Sequence, residues 1–292
     1  MQGGPVPLLL CELPVPAPIA LHARKLEPLK NIGKNAMNIT QKKVLPWLSD
    51  NAAPYAHTEP GLYDPKEFPW VPYVESHWET IRDELLSVLK GNENYLDAYP
   101  DLTKTNKKDV WKTTGLIYWT LKSHKNIRNF PKTWAIMRKL PNLTACSLNK
   151  LEPQSTIKPH VGDTNAMFRC HMGLVIPAQA PKCGLRVGKE ITCWQEGKVL
   201  MFNDAYEHTA WNNTDSDRYI ISFDVMRPEF EKKSHWTASQ VLGKIFVEVV
   251  YQHQAWLRKY FSAEWKQNLL TKGSKFLFYM AIVARARLQR NL

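Results

Sequence analysis

Apolar residues recur along this chain with two different periods, and the change of period divides it. Between 158 and 230, short apolar-rich runs are separated by turn chemistry. Arg169 to Ile176 ends at Pro177, Leu185 to Val187 follows Gly184, Lys198 to Phe202 follows a Glu-Gly turn, and Tyr219 to Val225 runs on to Pro228. These runs predict strands. With no helical pattern between them, they predict an antiparallel barrel or sandwich rather than βαβ units. Upstream, Asp109 to Trp111, Leu116 to Leu121 and Asn142 to Leu151 predict further strands, and Lys132 to Leu140 a short helix ended near Pro141. Earlier still, Val74, Trp78, Ile81, Leu85 and Val88 recur at helical spacing within 70–89, which predicts a helix with a core-facing stripe.

After Pro228 the period turns helical again. Trp236 to Tyr260 carries Val241, Ile245 and Val249 on one face, and a second helical stretch, Phe276 to Leu288, has an apolar run followed by Arg285, Arg287 and Arg290. The apolar run from Phe276 to Ala284 is too short to cross a bilayer, which needs about 20 apolar residues. A helix packed on the β domain is expected, with an interfacial membrane helix as the alternative. At the other end, residues 1–20 are rich in proline and lack a basic n-region, so they read as a poorly ordered arm rather than a signal peptide. Pro46, Pro54, Pro60 and Pro65 break any long helix in 21–67, where loops and short helices are expected. The organisation expected is an arm with wrapping loops over 1–67, a β domain over 68–230 and a C-terminal helical extension over 231–292.

With 292 residues the chain can bury a sizeable core. Its net charge of +12 predicts a basic face, which an anionic membrane, an acidic substrate or a nucleic acid would suit. No helix-turn-helix, zinc-finger or RNA-motif signature is present, so no nucleic-acid partner is expected. Five cysteines without a CxxC pair read as free thiols of a reducing compartment, although Cys183 and Cys193 could meet across a hairpin. That reading predicts a cytoplasmic location, with membrane association as the alternative.

The chemistry-bearing residues sit where the strands begin and end. His160 precedes the first of the four runs, close to Gly162, and His171 lies inside it. His208 follows a turn, and Arg218 opens the last strand. Imidazole suits iron, and two histidines far apart in sequence meet easily when a barrel closes. The rigid donor fork of an arginine suits the far carboxylate of a keto-acid bound to that metal. Arg169 and His171 share one strand face while Cys170 and Met172 take the other.

The ordered set His160, His171, His208 and Arg218 stands within PHVGDTN, RCHMGLVIP and EGKVLMFNDAYEHTAWN. Set in those motifs, it closely resembles the aspartyl/asparaginyl β-hydroxylase family of Fe(II)- and 2-oxoglutarate-dependent oxygenases. The resemblance is dense over roughly 130–230 and continues weakly upstream through Trp111 and FPWVPYVESHWETIRDELLSVL from Phe68. It implies a mainly β, double-stranded β-helix (jelly-roll or cupin-like) core with helical additions. Fe(II) would be held by His160 and His208. The co-substrate 2-oxoglutarate would chelate it, with its 5-carboxylate on Arg218. Arg169 and His171 match pocket residues that contact 2-oxoglutarate and substrate. Asn149 falls where the family has a serine that hydrogen-bonds the keto-acid, and its amide could donate in that role. O2 would be consumed, and succinate and CO2 released.

The chain departs from the family pattern in two further places. Gly162 stands where the usual facial triad has a carboxylate. The family tolerates this glycine, with water completing the shell; the open position makes halogenation an alternative outcome. Asp163 is expected to face away from the metal, and Asp204 to shape the turn before His208. Met167, followed by Phe168, replaces an additional arginine that grips the substrate carboxylate in the animal enzymes. The function expected is hydroxylation of an Asp or Asn side chain, free or in a peptide. The alternative is a lipid acyl chain or another small metabolite, favoured by Met167, the basic charge and the apolar tail, with peripheral membrane contact through the C-terminal helix. A non-catalytic binding module is the third class, and the complete set of two histidines and Arg218 argues against it.

Overall fold

Alternation of side chains across each strand builds two opposed antiparallel sheets in this chain. The computed structural model describes residues 44, 46–50 and 53–290; the arm expected over 1–20, with Cys11, lies outside the described residues. In chain order the strands are β1 (Leu62–Tyr63), β2 (Asp97–Ala98), β3 (Trp111–Tyr118), β4 (Leu121–Lys122), β5 (Leu143–Leu151) and β6 (Ser155–His160). They continue with β7 (Met167–Val175), β8 (Cys183–Val187), β9 (Glu190–Thr192), β10 (Val199–Phe202), β11 (His208–Asn212) and β12 (Arg218–Met226). Among the described residues, one sheet runs β1-β10-β7-β12-β5-β3-β2 with β4 on β3, and the other runs β6-β11-β8-β9. This is a double-stranded β-helix, mainly β with C-terminal helices.

Strand β7 shows how the sequence chooses its faces. Phe168, Cys170, Met172 and Leu174 point out of the barrel into a core shared with Ile221, Phe223 and Val225 of β12. That core is closed by α1 (Val71–Glu75), α2 (Trp78–Gly91), α3 (His124–Asn129) and α4 (Pro131–Met137). The helical stripe expected within 70–89 is there, with Val74, Ile81 and Leu85 buried, but the helix breaks at Ser76 and His77. Arg169 and His171 take the opposite face and look toward the second sheet. A second core fills the space between the sheets, joining Leu151, Phe202 and Ile220 of the first to Ile157, Leu185, Val187 and Ala210 of the second. Cys146, Cys170 and Cys183 are buried free thiols, so Cys183 does not bridge to Cys193.

The chain after β12 forms α5 (Ser234–His253), α6 (Ala255–Tyr260) and α7 (Glu264–Arg290). The long helix expected over 236–260 is interrupted at Gln254, and the last helix starts earlier than its apolar run. Gly243 lets α5 and α7 approach closely: a Cβ there would lie 2.7 Å from Lys275 Cα. The pair covers a third core of Leu48, Met167, Met226, Phe230, Val241, Leu242 and Ile282. Met167, which replaces the additional arginine of the animal enzymes, is buried in this core. The strand end that carries it is roofed by α5, and the apolar surface gained at that position seats the helices.

Candidate functional site

The second sheet brings the two histidines together. His160 ends β6 and His208 opens β11, the two are paired across the ladder, and their ring centroids lie 4.2 Å apart. Each ring is oriented by a carbonyl two residues earlier. His160 Nδ1 lies 2.7 Å from Lys158 O, and His208 Nδ1 lies 2.9 Å from Tyr206 O. A carbonyl only accepts, so each Nδ1 carries the hydrogen and each Nε2 keeps its lone pair. Burial, then the adjacent His160 ring, holds His208 well below the usual imidazole range, and burial lowers His160 as well. Both rings are thus neutral near pH 7, the state a metal ligand requires.

A carboxylate completes this corner from a position other than 162. A Cβ at Gly162 would lie 1.6 Å from Asp204 Oδ2, so Asp204 fills the space into which a side chain at 162 would project. Its Oδ1 is buried without a hydrogen-bond partner among the described residues, 3.5 Å from His208 Nε2. Arg169 Nη1 approaches the same oxygen to 3.1 Å as an ion pair, off the line of a hydrogen bond. Asp204 therefore does more than shape a turn. Two free imidazole nitrogens are donors of the type that suits a divalent iron, and the Asp204 carboxylate lies beside them. Among the described residues, no group of three or more His, Cys, Asp or Glu side chains is arranged to hold a metal, so the two imidazoles alone carry the fit.

From the histidines a line of aromatic contacts runs to Arg218. Phe202 lies against His208 at 5.3 Å and against His171 at 5.0 Å. Trp194 Nε1–H donates to His171 Nδ1 at 3.3 Å, which leaves His171 an Nε2–H donor. Burial, followed by the charges of Arg169 and Arg218, holds His171 well below its usual range and therefore neutral. The Arg218 guanidinium sits over Trp194, 4.4 Å from the ring centroid. It is 1% exposed, its Nε is unpartnered, and no carboxylate pairs with it among the described residues. Burial lowers its pKa to about 10, so it remains a cation.

Arg169 is in the opposite situation. Its Nε and Nη2 form a bidentate pair with Asp224 at 2.8 and 2.9 Å, in addition to Asp204. Burial opposes the charge, but Asp204 and Asp224 outweigh it and hold the guanidinium well above its usual range. Asn149 stands apart from the line: its amide donates to Ser147 O and Ser147 Oγ, and its carbonyl accepts from Trp111 Nε1. Asp163 binds Ser49 and Lys244 of α5. Trp194, Phe202 and Asp224 are not among the site residues of the sequence reading. The only signal for Asp224 was a lone carboxylate inside an apolar run.

A double-stranded β-helix with two neutral histidines, a carboxylate and a buried unpaired arginine on its inner faces defines the class. A family model described as aspartyl/asparaginyl β-hydroxylase matches residues 75–228. The chain is 31% identical over 271 residues to an ornithine lipid ester-linked acyl 2-hydroxylase of Rhizobium tropici, covering 87% of this chain and 96% of that one. It is 30% identical over 202 residues to the aspartyl/asparaginyl β-hydroxylase of Homo sapiens, covering 67% of this chain and 24% of the human one. A Pseudomonas putida prolyl-4-hydroxylase structure is similar with a TM-score of 0.37 at 11% identity, covering 55% of this chain and 100% of that one. The chain belongs to the aspartyl/asparaginyl β-hydroxylase family, and its class is that of a hydroxylase enzyme.

Proposed function

We propose that the chain is an Fe(II)- and 2-oxoglutarate-dependent hydroxylase that acts on the acyl chain of a lipid. The observation that carries the chemistry is the His160–His208 pair, with both Nδ1–H groups held by carbonyls and both Nε2 atoms free. These two residues would hold the iron. Bound Fe(II), with 2-oxoglutarate and O2, supplies an oxidant able to insert oxygen into an unactivated C–H bond, and 2-oxoglutarate leaves as succinate and CO2. Arg218, a buried cation without a carboxylate of its own, takes the 5-carboxylate of the co-substrate. His171, fixed by Trp194, offers its Nε2–H to the same ligand or to the substrate. Asp204 keeps a carboxylate beside the histidines, which leaves no opening at Gly162 for a halide and disfavours halogenation.

The substrate class follows from Arg169. Two carboxylates already neutralise it, so it offers no spare positive charge to a substrate carboxylate. Met167, where the animal enzymes have a second arginine, is buried under α5. An uncharged acyl chain suits such a site better than an amino-acid carboxylate does. The similarity to the Rhizobium tropici enzyme supports this reading because it extends beyond the family region. The second reading, an Asp or Asn side chain in a peptide, is favoured by the similarity to the human enzyme.

Anaerobic titration of Fe(II) and 2-oxoglutarate tests the centre: wild type should develop a weak visible band that His208→Ala lacks. Succinate release should then rise with ester-linked lipid and not with an Asp-containing peptide. The reverse preference would move the assignment to the second reading, and no band in wild type would sink the hydroxylase mechanism.

A further inference from the structure

Among the described residues, the C-terminal helices leave one apolar face uncovered. In α7, Ser274, Phe278 and Ile282 turn inward toward α5 and the third core. A helix advances about 100° per residue, which puts Trp265, Leu269, Phe276 and Met280 within about 60° of one another on the opposite side. They are 65, 65, 63 and 51% exposed. Trp256 and Tyr260 of α6 add two more exposed aromatic rings. Scattered surface apolar residues are ordinary, but a row of large ones along an outer helix face marks a surface that meets something.

Charge identifies what it meets. The sequence over 254–292 holds eight Lys and Arg residues against a single acid, Glu264, so this short segment carries more than half of the chain's net charge of +12. Lys272 and Arg287 fall on or beside the apolar row itself by the same periodicity. Aromatic and aliphatic side chains flanked by cations fit the boundary between acyl chains and anionic headgroups. Among the described residues no helix is long and apolar enough to cross a membrane, which leaves a surface position for α6 and α7.

The face is also rigidly joined to the site. Lys244 of α5 binds Asp163, three residues after His160, at 3.2 Å. Val241, Leu242 and Ile282 pack with Met167, two residues before Arg169. We propose that α6 and α7 form a docking surface for an anionic lipid bilayer, on which they lie flat beside the mouth of the barrel. This rests on the acyl-chain reading for its purpose, since a docked enzyme reaches its substrate without extracting it. It does not rest on that reading for its test, because docking needs neither iron nor 2-oxoglutarate.

The full chain should be sedimented with vesicles of phosphatidylcholine alone and of phosphatidylcholine with about 30% phosphatidylglycerol. Bound fraction should be at least about tenfold higher on the anionic vesicles and should fall with added salt. Trp265→Ser/Phe276→Ser and Lys272→Glu/Arg287→Glu alter only exposed side chains. Each pair should lower binding about tenfold or more while leaving the melting temperature unchanged, since each cation near an anionic surface is worth about a fivefold change. Equal binding to both vesicles, or none, overturns the proposal, as do variants that bind like wild type. A wild-type dimer that becomes monomeric in Trp265→Ser/Phe276→Ser would assign the face to a second copy of the chain instead. Turnover of a detergent-dispersed lipid by a wild-type chain that binds no vesicles would overturn docking alone; docking without turnover would overturn the hydroxylase reading alone.

Discussion

Two arginines stand on the inner face of the same sheet, at opposite ends of the site, in opposite electrostatic circumstances. Arg169 is clasped by Asp224 in bidentate geometry and approached by Asp204. Arg218 is more deeply buried, lies on an indole face, and has no carboxylate among the described residues. A buried pair is an internal structural device, and removing one member strands the other. A buried cation without a partner is a standing cost to the fold, and such a cost is characteristic of a binding site. The contrast separates a strut from a ligand-binding group where the residue type alone could not. On the function proposed, it would also leave a substrate carboxylate without a spare cation at the Arg169 end.

The comparison should be broken most severely at the His160–His208 pair, where the iron is proposed to sit. His208→Ala should reduce substrate-coupled succinate release by about a thousandfold, because it removes one of only two imidazole donors. Iron binding, followed by equilibrium dialysis, should fall in parallel. Next in size is Asp224→Asn, which leaves the Arg169 charge half compensated in a buried site. Urea unfolding should show a loss of about 3 kcal/mol, the low end for a broken buried pair, since Asp204 remains within reach. Arg218→Met should do the reverse. Removing an unpaired buried cation should leave stability unchanged or raise it by about 1 kcal/mol. The half-saturating 2-oxoglutarate concentration should nevertheless rise about 10- to 100-fold through loss of a charge-assisted bond. If Arg218→Met instead unfolded like Asp224→Asn, the distinction between the two arginines would collapse.

How much of this was legible in the sequence depends on where each residue finds its partner. Strands β7, β10 and β12 were readable because Phe168 to Leu174 and Tyr219 to Val225 alternate or run apolar within one segment. β6 and β11, which carry the two histidines, were not read as strands. STIKPH contains Pro159, tolerated because β6 is an edge strand, and HTAWN is short and polar. The histidines were found through the order of motifs rather than through any strand pattern. Asp224 was invisible for a different reason: only the β7–β12 register, with Asp224 opposite Arg169, gives it meaning. Asp204 was assigned to a turn because nothing local to NDAYEH says that the turn folds its carboxylate into the gap beside Gly162. The cover over Met167 was not legible because the helix that provides it comes some 70 residues later in the chain.

A third cation sharpens the lesson, and its effect should be the smallest. Lys244 on α5 reaches Asp163 at 3.2 Å and Ser49 Oγ at 2.7 Å, so on a list of contacts it looks as well paired as Arg169. Both members of the ion pair keep roughly a quarter of their side-chain surface in contact with solvent. Water can therefore take over when either is removed, and Lys244→Met strands nothing. The substitution should cost no more than about 1 kcal/mol in urea unfolding, and the difference from wild type should shrink as salt is raised. Asp224→Asn should show a weaker salt dependence, because the Asp224 side chain is only 3% exposed and is poorly screened, although Arg169 keeps 25%. A Lys244→Met loss as large as that of Asp224→Asn would mean that connectivity to the C-terminal helices, and not burial, decides which ion pairs hold this fold together.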